Sequence, residues 1–145
     1  LSYRLMYYSV DTVKILGSNS GVIYSLEALP STEPLKPIDE FNLIAIASAK
    51  ATFILCLNPQ MKVLFKLACP EAIDTSKQLP YLSWRPSNEE PIISIAWGHF
   101  IQLIQVKIKP TGGLGFQAIG VPYKADTNIS GMRWMSDKVI GFLNH

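Results

Sequence analysis

One pattern occurs twice in this chain, about fifty residues apart. Residues 46–57, IASAKATFILCL, lie over residues 95–106, IAWGHFIQLIQV. Ile46 matches Ile95, Ala47 matches Ala96, and Ile54-Leu55 match Leu103-Ile104. Each copy is an apolar run, a short break of small or polar residues, and a second apolar run. That is the pattern of a tight hairpin between two largely buried strands. A second match has similar spacing: residues 79–84, LPYLSW, lie over 129–134, ISGMRW, each with a Trp five residues after an aliphatic residue. A period near fifty belongs to propeller blades and other repeat architectures.

Strands are expected at residues 22–26, 43–48, 52–57 and 62–67, then at 81–84, 92–97, 100–108 and 116–121. A third unit opens with 129–134 and 139–143. Residues 17–21 read as a turn, and the order of strands in the first sixteen residues is open. Residues 38–51 are the one window that could pass as a helix, since Ala and Leu favour it, but the repeat favours strand. Elsewhere prolines interrupt helical windows, and the apolar runs are rich in β-branched and aromatic residues. Four strands per unit is the content of a propeller blade. The expected fold is therefore all-β: a WD-repeat-like β-propeller segment of two to three four-stranded blades, an incomplete ring. Residues 1–145 form part of one larger propeller domain with no internal boundary. Both ends are apolar and read as cuts through that larger fold. A blade buries its faces only against its neighbours.

Composition removes several function classes. Hydrophobic residues make up 48% and charged residues 17%, which excludes intrinsic disorder. A formal charge of +2 with scattered basic residues gives little footprint for nucleic acid. Cys56 and Cys69, the two cysteines, are too few for a disulfide framework or a four-ligand zinc site. No charged leader precedes a short apolar segment, so no signal peptide is expected. The apolar segments 43–57 and 92–108 carry Lys50, and His99, Gln102, Gln105 and Lys107, so neither reads as a membrane span.

Chemistry-bearing groups do not assemble. His99 sits at a hairpin tip without a nucleophile or acid to complete a triad. Asp39-Glu40 and Glu89-Glu90 read as solvated loop charge. Residues 111–115, TGGLG, lack the Lys-Ser/Thr that a phosphate loop needs. The Asn128-Ile129-Ser130 sequon reads as chance. Trp84, Trp97 and Trp134 read as packing, with Trp84 and Trp134 at equivalent places in the wedge between blades. No catalytic, metal or cofactor residue is expected, and no small-molecule substrate.

Residues 17–29, GSNSGVIYSLEAL, with 41–48, FNLIAIAS, and 57–63, LNPQMKV, carry a likeness that continues through 79–84, Ile92-Ile93 to Trp97-Gly98, and Met132-Arg133-Trp134. In order and spacing they resemble the N-terminal propeller of the Vps-eight family, a subunit of the CORVET endosomal tethering complex. The Trp-Asp dipeptide that names WD repeats is absent. The resemblance implies a non-enzymatic, cytoplasmic protein, peripheral on endosomal membranes. It further implies partners among tethering-complex subunits and an early-endosomal Rab GTPase in its GTP state, so that contact with the membrane is indirect.

The residues themselves leave two other readings: a propeller of another trafficking assembly (HOPS or a coat), and a small β-barrel holding an apolar ligand. For an interaction propeller, the loops 30–40, 85–91 and 110–115 are the expected presenting surfaces. Arg85, Glu89 and Glu90 are the expected exposed contact residues.

Overall fold

A computed structural model describes strands at residues 5–8 and 13–16, and residues 22–70, 74, 77–87 and 89–144. Twelve strands run through these residues: β1 (Leu5–Tyr8), β2 (Val13–Leu16), β3 (Ile23–Ala28), β4 (Leu43–Ser48), β5 (Ala51–Cys56) and β6 (Lys62–Ala68), then β7 (Tyr81–Trp84), β8 (Ile92–Trp97), β9 (Phe100–Ile108), β10 (Leu114–Lys124), β11 (Ile129–Trp134) and β12 (Ile140–Asn144). The 3-10 turn Pro37–Phe41 precedes β4. Consecutive strands pair antiparallel into two four-stranded sheets, β3-β4-β5-β6 and β7-β8-β9-β10, and two hairpins, β1-β2 and β11-β12. The molecule is a partial β-propeller. Its sheets stay open-edged, unlike the barrel alternative. The expected turn at 17–21 lies outside the described residues.

The repeat is preserved in hydrogen-bond register. Shifting both partners by 49 residues carries the β4–β5 pairs Ala47↔Thr52, Ile46↔Phe53 and Ala45↔Ile54 onto the β8–β9 pairs Ala96↔Ile101, Ile95↔Gln102 and Ser94↔Leu103. The inner strands repeat as well: Ala28 faces Ile44, Trp84 faces Ile93, and Trp134 faces Ile140.

Side-chain size alternates in Ile44-Ala45-Ile46-Ala47 of β4 and in Ile93-Ser94-Ile95-Ala96-Trp97 of β8. In β8 the large Ile93, Ile95 and Trp97 share one core with Leu43, Ala45, Ala47, Ile54 and Cys56 of the sheet before. Ala96, on the opposite face of β8, packs with Ile101, Ile129, Met132 and Phe142 towards the sheet after. Period two in the strand makes this possible, because successive side chains leave by opposite faces. Bulky residues thus look back towards the preceding sheet, and Ala or Ser receives the bulk of the next. Further out, Phe65 of β6 stacks on Phe116 of β10 with ring centroids 5.1 Å apart. Such ring pairs stabilise beyond their area burial by about 0.5–1.5 kcal/mol.

The hairpin turns fit their sequences. Gly98 has φ +56 at the first of two turn positions between Trp97 and Phe100, where a side chain would be strained. In the first sheet Ser48 does the equivalent work. Its hydroxyl donates to the Ala51 carbonyl at 3.0 Å and accepts the Ala51 N–H at 3.2 Å. The outer strand β10 is longer than the expected 116–121. It contains a bulge in which Gly120, Val121 and Pro122 lie between the pairs Ile119↔Leu103 and Tyr123↔Ile101. Gly120 has φ +64, and Val121 is thrust outward at 89% exposure.

Unfolding by urea checks the size rule. Ala47→Leu fills a site with no free surface and is expected to cost about 1–3 kcal/mol by overpacking. Ile93→Ala opens a cavity and is expected to cost about 2–5 kcal/mol. Thr52→Val is expected to be neutral or stabilising by up to about 1 kcal/mol. Its buried hydroxyl has no hydrogen-bond partner among the described residues, so it bears a desolvation cost that no bond offsets.

Candidate functional site

Antiparallel meandering sends the β3–β4, β7–β8 and β11–β12 connections to the same end of the molecule. There the β3–β4, β7–β8 and β11–β12 loops enclose a cleft of about 650 Å³. Its walls include Leu29, Thr32, Lys36 and Asp39 from the first loop, Arg85, Ser87 and Glu89 from the second, and Ser136 and Asp137 from the third. Four carboxylates line it, Glu33, Asp39, Glu89 and Asp137, against the cations of Lys36 and Arg85. This balance is opposite in sign to that of the whole chain, +2.

The first loop is braced from within. Asp39 Oδ2 accepts the Lys36 backbone N–H at 2.7 Å, and the Thr32 hydroxyl lies 2.7 Å from the same oxygen. Pro37 opens the 3-10 turn with its φ already set, and Asn42 ends it in the left-handed conformation, φ 48. From the other side, Asn58 Nδ2 donates to the Glu40 carbonyl at 3.1 Å, and the Leu57 N–H donates to the Phe41 carbonyl at 3.0 Å. The LNPQ segment therefore docks the β5–β6 turn onto this loop. Partial burial disfavours the ionised Asp39. The Lys36 N–H, the Thr32 hydroxyl and N–H, and the Lys36 charge outweigh it, holding the carboxyl below its ordinary value. The expectation that Asp39 and Glu40 are simply solvated fails for Asp39, whose carboxylate organises the loop.

The second loop is cross-tied. Arg85 Nη2 donates to the Glu90 carbonyl at 2.8 Å and lies 3.5 Å from Glu89 Oε2. Glu90 Oε2 accepts Gln105 Nε2 at 2.7 Å and lies 3.7 Å from Lys107 Nζ. The side chains of Glu89 and Glu90 are 78% and 52% exposed. Arg85 differs. Its side chain is only 13% exposed, because the guanidinium folds back to cap its own loop. Loops 30–40 and 85–91 meet at the cleft, whereas residues 110–115 are not among those lining it. The contributions of Thr32 and Asp137 were not legible in advance. Thr32 and Asp39 stand seven apart without a motif, and Asp137 enters the cleft only through the stacking of a third sheet.

Other reactive groups stay apart. Cys56 is buried, and Cys69 is partly buried, with its thiol pushed up by desolvation. His99 stacks on Phe100 at the opposite end of β8, ring centroids 4.2 Å apart. Among the described residues no group of three or more His, Cys, Asp and Glu could hold a metal ion, and no helix is long and apolar enough to cross a membrane. His145 lies outside the described residues.

A titration checks the brace. The depressed Asp39 carboxyl contributes stability that is present above its unfolded value of about 4 and is lost as pH falls through its lower folded value. Thr32→Val removes one donor, so the NMR-monitored Asp39 titration is expected to move up towards the ordinary carboxylate range.

No curated protein and no solved structure gives a significant match to this chain. The family model described as Vps8 beta-propeller matches residues 1–145, all of the sequence. Repeat, register and sheet order agree with that description, and the chain belongs to the Vps8 beta-propeller family.

Proposed function

We propose that this chain acts as a non-enzymatic interaction propeller of a CORVET-type endosomal tethering subunit. In this reading it engages an early-endosomal Rab GTPase in its GTP state and other tethering subunits. It works in the cytoplasm, peripheral on endosomal membranes, and is part of one larger propeller domain. The family match over the whole sequence carries the reading. The convergence of three loops on one rigid face supports it, since scaffold-mounted loops are where binding residues concentrate. Within that face, Glu89 and Glu90 present charge to a partner. Arg85 contributes by holding the loop that displays them.

Titration of a GTP-analogue-loaded early-endosomal Rab tests this. Binding is expected, with loss of at least about tenfold in affinity when residues 30–40 and 85–91 are replaced by Gly-Ser linkers. Glu89→Lys is expected to slow association more than it speeds dissociation, as rim charges do. Unchanged affinity after both loop replacements would remove the contact assignment. Equal binding of the GDP-loaded form would remove the Rab reading.

A further inference from the structure

The same hydrogen bond occurs between both pairs of neighbouring inner strands. Trp84 Nε1 in β7 donates to the Glu27 carbonyl in β3 at 2.9 Å. Trp134 Nε1 in β11 donates to the Ser83 carbonyl in β7 at 3.1 Å. The second contact is reinforced: the Trp134 N–H donates to Ser83 Oγ at 3.2 Å, and Ser94 Oγ donates to the same Ser83 carbonyl at 3.0 Å. Trp84 and Trp134 are the last residues of their strands, so each indole is anchored where a cleft loop begins. Its acceptor lies just before the loop of the preceding sheet.

We propose that Trp84 and Trp134 are positioning residues of the cleft, whose indole N–H groups fix the spacing of the three loops across the sheet boundaries. Packing alone lets neighbouring sheets slide along their strands. A donor on one inner strand bound to a carbonyl on the next removes that freedom, because a ring displaced by one residue meets an N–H or a side chain instead of the carbonyl. The β3 strand has Ala28 at the corresponding place, opposite Ile44, and no indole to reach from it. Its loop is braced instead by the Thr32, Lys36 and Asp39 contacts. This inference rests on the proposed function only in treating the cleft as the partner-binding face; the positioning itself is independent of the partner.

Amide exchange followed by NMR tests it. The informative amides are those of Leu29, bonded to the Leu43 carbonyl, and Arg85, bonded to the Ile92 carbonyl, which begin two of the loops. Trp84→Phe keeps an aromatic ring but removes the donor. It is expected to raise exchange at Leu29 and Arg85 by at least about tenfold, while amides in the β8–β9 hairpin keep their protection. A uniform rise through β7–β10, or no change at the two loop amides, would overturn the inference. Should Trp84→Phe fail to fold, Trp134→Phe gives the same test at the Met135 amide, bonded to the Val139 carbonyl. Affinity for the GTP-loaded Rab is expected to fall with either variant. An unmodified protein that binds no Rab would remove the proposed function and leave the exchange result standing.

Discussion

A four-stranded sheet with apolar residues on both faces is unstable until each face is covered. In this chain the cover is the next sheet, and side-chain size sets how closely it approaches. Ile93, Ile95 and Trp97 project from one face of β8 towards a preceding sheet whose β4 offers Ala45 and Ala47. Interiors pack at crystal-like density, so large must meet small. Because the strand repeats every two residues while the sheets repeat every 49, a single rule written into LIAIAS and IISIAW serves each boundary in turn. The loop face depends on it, since loops from separate sheets form one cleft only if the sheets stack at a constant offset.

Much of this was legible beforehand, and the reasons are local. The spans Leu43–Ser48, Tyr81–Trp84, Ile92–Trp97, Phe100–Ile108 and Ile129–Trp134 follow from short apolar runs bounded by turn residues. Outer strands were harder. Gly115 reads as loop and Pro122 falls beyond the expected strand 116–121, but an edge strand tolerates a missing donor and absorbs extra residues in a bulge. The 3-10 turn at Pro37–Phe41 hid inside a window that Ala and Leu made ambiguous. Its organising contact, Thr32 with Asp39, has no periodic signature.

The cleft was legible only in part, and the line falls between side-chain identity and backbone partner. That 30–40 and 85–91 would present themselves followed from their proline and polar content. That Arg85 would turn inward did not, because its acceptor is the carbonyl of Glu90, and a carbonyl carries no letter in a sequence. The same applies to the tryptophans. Their fifty-residue spacing was plain, whereas Glu27 and Ser83 serve as acceptors through main-chain atoms that come near only once the sheets are stacked.

The bulge in β10 bears on how such a molecule grows. Sheets stacked face to face also leave their last strand with a row of unpaired main-chain groups, open to lateral joining with another copy. Gly120 turns the ladder out of line, Pro122 withholds a donor, and Val121 stands in the way of a flat approach. On β10 these three consecutive residues interrupt the free edge, so a strand approaching from the side meets a break in the ladder, while the stacking of sheet upon sheet is untouched.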